Sequence, residues 1–404
     1  MELELQRFGK IETAQGLADA MLCIDADRPN EIMVHWWGVG IEPRALLADG
    51  RWDGDRLQLA PRLLYTTGKD GALYLPRNLP QEQAEALRTA RATLLNSGKT
   101  LEGEWTGPSG EKGRLTFSDF GGETDVGPIE AQQCDSWEAF KTWVNRIRVE
   151  KDAVMFRGHG SNAFQLRTTL HRVGRHRLER YCSEELRMFS AHAEAVLDTR
   201  LNLNDGADYA TLLGLAQHHG LPTPLLDWTA SPYIAAFFAF SDALDNEANR
   251  PKATHVRIYA LTRQFATITS SALITVPATL PYLASLAISA RLNPRLYAQQ
   301  GQFLVTNISN LERFIKFSEH QSNEEFLLAA DVPISFAPQA LGDLTFMGLT
   351  AATMFPGLDG VGRMMRHAMV SKKQLFPFAG SPASGNEMPS QEGVSQIREA
   401  GSTS

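Results

Sequence analysis

The chain has 404 residues, a formal net charge of −7, 43% hydrophobic and 21% charged residues. At about 100–200 residues per domain this length suggests two domains, each able to bury an ordinary core. The acidic balance weighs against broad nucleic-acid binding, which needs clustered Lys and Arg. The three cysteines Cys23, Cys134 and Cys182 are far apart and form no C-x-x-C pair, which excludes a disulfide framework or zinc ribbon and makes a reducing cytoplasm the expected setting.

The opening MELELQRFGKIETAQG is mixed-charge and lacks the apolar run of a signal peptide. The longest apolar stretches, such as YIAAFFAF from Tyr233, fall far below the ~18 residues of a membrane span, so no membrane partner is expected. Residues 1–125 read as a small β-rich accessory domain, a potential partner-binding surface. MVHWWGVGI from Met33 reads as a strand. LLYTTGKDGALYL from Leu63 reads as a hairpin turning at Lys69-Asp70-Gly71, and LEGEWTGPSGEKGRLTF from Leu101 as another turning at Pro108-Ser109-Gly110. Between them LPQEQAEALRTARATLLNSG predicts one helix, with Pro80 near its start and Gly98 beyond its end.

FGGETDVGP, residues 120–128, is the expected linker. A second domain is assigned to residues 126–378. Its first helix is SWEAFKTWVNRI, capped by Asp135 or Ser136, with Trp137, Phe140, Val144 and Ile147 at helical spacing toward a core. Residues 379–404 have almost nothing apolar to bury and are assigned to a disordered tail.

Four segments stand out for chemistry. In AVMFRGHGSNAFQLRTTLHR, Ala153–Phe156 reads as a buried strand whose end delivers Arg157 beside Gly158 and Gly160. An arginine there suits a bidentate grip on phosphate or carboxylate, and the glycines permit close approach of a ligand. The plainer reading pairs Arg157 with an acid such as Asp227. Arg167 and Arg172 add positive charge.

In LLGLAQHHGLPTPLLDWTASPYIAAFFAFSDA a helix ends at His219 with Gly220 as its C′ residue, and a Pro-punctuated stretch follows. Ser231 then caps a helix that is apolar all round and therefore buried, with Pro232 at N1. Gln217, His218, His219, Asp227, Trp228 and Thr229 are dense polar chemistry beside that helix, either a satisfied network or a site. Adjacent histidines face different ways and no H-E-x-x-H motif occurs, so no metal is predicted.

In NPRLYAQQGQFLVTN, Gln299, Gln300 and Gln302 precede or begin a strand at Phe303–Val305; they suit a sugar hydroxyl or carboxamide, or simply line a strand edge. In DLTFMGLTAATMFPGLDGVGRMMRH, Asp343 begins a helix that breaks at Phe355–Gly360, a segment read as packing that closes the domain.

FRG at Phe156–Gly158, the block AQHHGLPTPLLDWTASPYIAAFFA, AQQGQF from Ala298 and MFPGLDG from Met354 together resemble the FRG-domain family of bacterial proteins, over residues from about 135 to 370. The family usually carries Arg where this chain has Pro224. A weaker resemblance links the family to the ADP-ribosyltransferase fold, which places an Arg or His on a first strand, Ser/Thr before a helix and Glu or Gln on a later strand.

Arg157, then Thr229 or Ser231, then the stretch Gln299–Gln302, with Gln299 and Gln300 foremost, follow that order. The implied fold is α+β: a C-terminal mixed β-sheet flanked by helices, ADP-ribosyltransferase-like, after the small β-rich domain. The implied ligand is NAD, gripped by Arg157, Gly158, His218, His219 and Asp227. The implied activity is ADP-ribose transfer to a macromolecular acceptor, or NAD hydrolysis, in a toxin or phage-defence setting. The third block has no Glu, so the stabilising carboxylate must come from elsewhere, for instance Glu324 or Glu325. The rival reading is a non-catalytic module that binds a nucleotide or a nucleic-acid end.

Overall fold

The computed structural model describes residues 5–118, 127–197, 199–245, 253–268, 277–289 and 294–370. Most of the expected linker at 120–128 and all of the expected tail at 379–404 lie outside them.

The β-rich N-terminal part is a closed barrel. Its strands are β1 (Gln6–Thr13), β2 (Gly16–Asp25), β3 (Arg28–Gly38), β4 (Ile41–Asp53), β5 (Arg56–Thr67), β6 (Leu73–Tyr74), β7 (Arg91–Asn96), β8 (Leu101–Thr106) and β9 (Lys112–Ser118). Pairing of β4 with β5 and of β1 with β9 closes an eight-stranded antiparallel ring, and β6 hangs on β5 outside it. Closure leaves no edge for foreign strands.

Period-2 alternation decides which face fills the barrel. In β9 Gly113, Leu115 and Phe117 are buried while Lys112, Arg114 and Thr116 are exposed. Ile11, Leu22, Ile24, Ile32, Leu57, Leu94, Leu101, Leu115 and Phe117 make the interior cluster. A second cluster, Met21, Cys23, Met33, Ala45 and Leu47, covers part of the outer wall.

The helix predicted over residues 79–98 forms only at Gln81–Thr89; Arg91–Asn96 is instead β7, paired with both β5 and β8. Closing the ring requires a strand there, and that tertiary demand overrides local helix propensity. Gly98, at φ 92°, therefore turns the β7–β8 hairpin rather than ending a helix. The two predicted hairpins form as β5–β6 and β8–β9.

The C-terminal part is a seven-stranded mixed sheet flanked by helices. It contains β10 (Gln132–Gln133), β11 (Ala153–His159), β12 (Leu225–Thr229), β13 (His255–Thr262), β14 (Leu283–Leu286), β15 (Gly301–Thr306) and β16 (Leu327–Pro333). The order is β10-β16-β13-β11-β12-β15-β14, with only β10–β16 parallel.

Helices Trp137–Glu150, Pro232–Asp245 and Ala337–Phe346 supply one core cluster, in which Trp137, Phe140, Phe237 and Phe240 meet Phe156 and Ile258 of the sheet. Helix Leu311–Ser322 contributes Leu311 and Ile315 to a second, with Met155, Tyr259 and Leu304. Ser136 is the cap of the first helix, its hydroxyl accepting from Ala139 N at 3.1 Å. Asp343 does not begin a helix: it lies inside Ala337–Phe346. Its carboxylate there accepts from the Trp137 indole at 2.9 Å.

The barrel is fastened to this domain by polar side chains as well as by packing. The Gln6 amide donates to Asn307 O at 2.7 Å and accepts from Ser309 N at 2.8 Å. The buried Asp25 carboxylate accepts from the backbone of His176 (2.7 Å) and Arg177 (3.0 Å) and from the Arg180 guanidinium (2.9 Å). Arg180 also pairs with Asp27 at 2.8 Å, and Arg177 with Glu31 at 2.5 Å. Among the described residues no helix is long and apolar enough to cross a membrane.

Candidate functional site

Strands β11 and β12 are neighbours, as are β12 and β15, so three segments distant in the chain share one stretch of sheet. Phe156 stands opposite Thr229, Trp228 opposite Gln302, and Thr229 opposite Gly301. Above that stretch lies a cleft of about 900 Å³, walled by the Pro232–Asp245 helix, the end of helix Gly206–His218 and the C-terminal segment carrying Phe355 and Arg363.

Arg157 sits within β11, opposite Tyr259 of β13, rather than beyond the strand end. Its Nε donates to His159 Nε2 at 3.1 Å and its Nη1 to the main-chain carbonyl of Asp227. It makes no ion pair with a carboxylate among the described residues. His159 is held neutral, its pKa pushed well below the usual value by burial and by the Arg157 charge. Its Nδ1 faces Phe164 O at 3.3 Å; donation there leaves Nε2 as the acceptor Arg157 needs. Two of the guanidinium's donating nitrogens are thus fixed, and Nη2 remains for a ligand. Burial also lowers the pKa of Arg157 from its ordinary value, with Asp227 opposing, as expected of a cation incompletely compensated by its own protein.

Gly158 lines the cleft, but its lack of a side chain answers another need. A Cβ there would stand 1.9 Å from the carbonyl of Ala235, so the glycine lets β11 lie directly against the buried helix.

Asp227 is exposed on β12, and its carboxylate accepts from Gln217 Nε2 at 2.8 Å; the other end of that amide accepts the Thr223 hydroxyl. Gln217 is therefore fixed, and it fixes Asp227. Asp242, in the opposite wall, accepts from Gly160 N at 3.2 Å.

The cleft is lined by five arginines (157, 167, 172, 295 and 363) and two aspartates (227 and 242), a formal excess of three positive charges on a chain of net −7. Its two histidines add none: His218, like His159, has its pKa lowered, by burial first and then by Arg295. Three wall residues also hold polar atoms that are buried and have no hydrogen-bond partner among the described residues: Arg167 Nε, Trp228 Nε1 and Ser241 Oγ. An unpaired buried donor costs about 1–3 kcal/mol, so three beside one cleft need an explanation beyond packing.

Of the residues singled out from sequence, Arg157, Gly158, Arg167, Arg172, Gln217, His218, Asp227, Trp228, Thr229, Gln299 and Gln302 line the cleft. His219 is exposed beside it, edge-on to His218 at 4.9 Å, and is not in the lining. Ser231 is occupied as the cap, accepting from Ile234 N at 3.3 Å. The Thr229 hydroxyl is spent on Gln299 O at 2.8 Å, and Gln299 Nε2 on Met354 O at 2.9 Å. Gln300 is exposed in a left-handed turn; of the three glutamines, Gln302 lines the cleft with no side-chain hydrogen bond among the described residues. Glu324 and Glu325 do not line the cleft; Glu325 pairs with Lys151 at 2.9 Å.

Sequence reasoning missed His159, Asp242, Phe355 and Arg363. His159 had a signal in its alternation with Arg157 along one strand face, and Phe355 none, because its segment reads as packing. Among the described residues no group of three or more His, Cys, Asp or Glu side chains is placed to hold a metal.

Residues 152–248 match the model of the FRG domain. That span includes the FRG tripeptide and the block AQHHGLPTPLLDWTASPYIAAFFA, whereas the motifs at Ala298 and Met354 lie beyond it. No curated protein matches the chain. Among solved structures a de novo designed fluorescence-activating β-barrel aligns at 12% identity over 29% of this chain and 93% of its own, with a TM-score of 0.19, too low to bear on the fold.

Proposed function

We propose that this chain, with an FRG domain at residues 152–248, binds NAD in the cleft and transfers its ADP-ribose unit to a macromolecular acceptor or to water. Such an ADP-ribosyltransferase or NAD glycohydrolase would fit a bacterial toxin or phage-defence role. The observation that carries the reading is the Arg157 guanidinium, fixed by His159 and the Asp227 carbonyl with one edge left open, in a cleft with an excess of arginines. A planar fork so held suits a pyrophosphate.

Cleavage of the ribose–nicotinamide bond puts oxocarbenium-like charge on the sugar, and catalysis then needs orientation and a facing negative charge. The carboxylate that the third sequence block lacks is assigned to Asp227, which is exposed to the cleft and braced by Gln217. Of the stretch Gln299–Gln302, Gln302 takes the polar role at the ribose. Trp228 Nε1, Ser241 Oγ and Arg167 Nε are donors that a small movement of the wall on binding would bring to the ligand.

The test is to incubate the protein with NAD and follow free nicotinamide. Release that disappears in Arg157→Ala and in Asp227→Asn, with the fold intact, supports the enzyme. ADP-ribose binding without release supports the alternative, a non-catalytic nucleotide sensor. Absence of both ends the nucleotide reading.

A further inference from the structure

We infer that the outer part of the cleft is a subsite for single-stranded polynucleotide, the acceptor of the ADP-ribose unit; this rests on the nucleotide reading of the inner part. Two of the residues that carry it, Phe355 and Arg363, lie in a segment that sequence reasoning assigned to packing. Phe355 stands in the cleft wall with two guanidinium groups over its ring: Arg295, Cζ 5.6 Å from the centroid, and Arg363, at 4.7 Å. Phe238, also in the lining, meets Phe355 edge-on at 5.8 Å.

Arg363 forms an ion pair through Nε with Asp245 at 2.8 Å, which holds it beside the ring. The Arg295 side chain has no hydrogen bond or ion pair to any described residue; its guanidinium lies over the ring of Phe355 and its charge is felt by His218.

Stacked guanidinium and aromatic planes beside unspent cationic donors are what a base with an adjoining phosphodiester requires. An acidic peptide would use the charges and leave the aromatic surfaces idle. The cleft, near the top of the roughly 300–1,000 Å³ usual for small-ligand sites, has room for an acceptor beside a nucleotide. The chain as a whole is acidic, so contact with the strand stays local, and a single strand or an end reaches this recess where a duplex does not. In the transfer, a nitrogen or oxygen lone pair of the acceptor forms the new bond to C1′ of the ribose. The electron pair of the broken C1′–N bond leaves with nicotinamide, and the acceptor proton passes to the Asp227 carboxylate.

The experiment measures fluorescence anisotropy of a labelled 12-nucleotide single strand, alongside calorimetry of ADP-ribose, on wild type, Arg157→Ala, Arg295→Ala and Phe355→Leu. Loss of base stacking is expected to weaken the strand about 5- to 150-fold in Phe355→Leu. Two phosphate contacts give a salt slope of about −1.4, falling to about −0.7 in Arg295→Ala. Arg295 has no ion pair among the described residues, so that variant tests the idea even if Phe355→Leu folds poorly.

In both outer variants the loss must be larger for the strand than for ADP-ribose. If ADP-ribose binds and depends on Arg157 while strand affinity ignores Arg295 and Phe355, the acceptor subsite is wrong and the nucleotide reading stands. If a poly-glutamate peptide binds as tightly as the strand with the same Arg295 dependence, the acceptor is protein and the proposal is overturned. If ADP-ribose fails to bind, the reading beneath it has failed instead.

Discussion

Arg157 and Gly158 adjoin in sequence yet answer different demands. The arginine is held by His159 and a backbone carbonyl with one edge open; the glycine exists because the Ala235 carbonyl leaves no room for a Cβ. Substitution should separate them. Arg157→Lys keeps the charge but loses the planar fork, and ADP-ribose affinity measured by calorimetry should fall at least about tenfold with little change in stability. Gly158→Ala should destabilise by about 2–3 kcal/mol in urea, as overpacking against fixed backbone does. A Gly158→Ala protein of normal stability with lost affinity would mean that the glycine serves the ligand after all.

Among the elements, the segment after Gly174 ties the barrel to the sheet domain. Asp25, at the end of β2, is buried and takes two backbone N–H groups and two arginines, Arg180 and Arg175. Its replacement by Asn keeps the shape but leaves Arg180 with less compensating charge in a buried place. Breaking such a pair costs about 3 kcal/mol, so Asp25→Asn should lower the urea midpoint clearly; a shift near zero would show that Asp27 and Glu184, which pairs with Arg180 Nε at 3.0 Å, suffice for Arg180.

The elements also show where local reading fails. The capped helix at Trp137–Glu150 and the apolar helix after Ser231 were legible, since cap chemistry and periodicity agree there with the packing. Residues 91–96 were not, because ATLL satisfies either period and only barrel closure chooses the strand.

At the scale of the whole molecule, several histidines are buried and neutral. Burial pushes His35 down to about 4 and His176 to about 3, and holds His159 and His171 well below the usual value. In the unfolded chain each returns to about 6.5 and binds a proton more readily than in the fold. The stability they contribute is therefore complete above about pH 6.5 and lost as pH falls toward the folded values. His35 alone should account for roughly 3 kcal/mol between pH 6.5 and 4, at about 1.4 kcal/mol per pH unit.

His35 lies against the backbone of Thr279, where the barrel meets the sheet domain. Acid should thus loosen the junction. A Tm series from pH 7.5 to 4.5 should fall below pH 6.5, less steeply in His35→Gln; parallel curves would remove His35 from the account.

By itself the sequence determined the class of fold, the β-rich first part, a helix cap at Asp135 or Ser136 and another at Ser231, and the segments bearing Arg157, Asp227 and the glutamines. Those are local properties: alternation, capping and apolar runs are set by residues within a few positions of one another. Only the tertiary structure decided that the first part closes into an eight-stranded barrel, that Thr229 and Gln299 spend their polar atoms on each other and on the wall, and that Asp227, Phe355 and Arg363 face one cleft. Those are outcomes of strand order and of competition among distant partners for the same hydrogen bonds, and neither is encoded in any short stretch of chain.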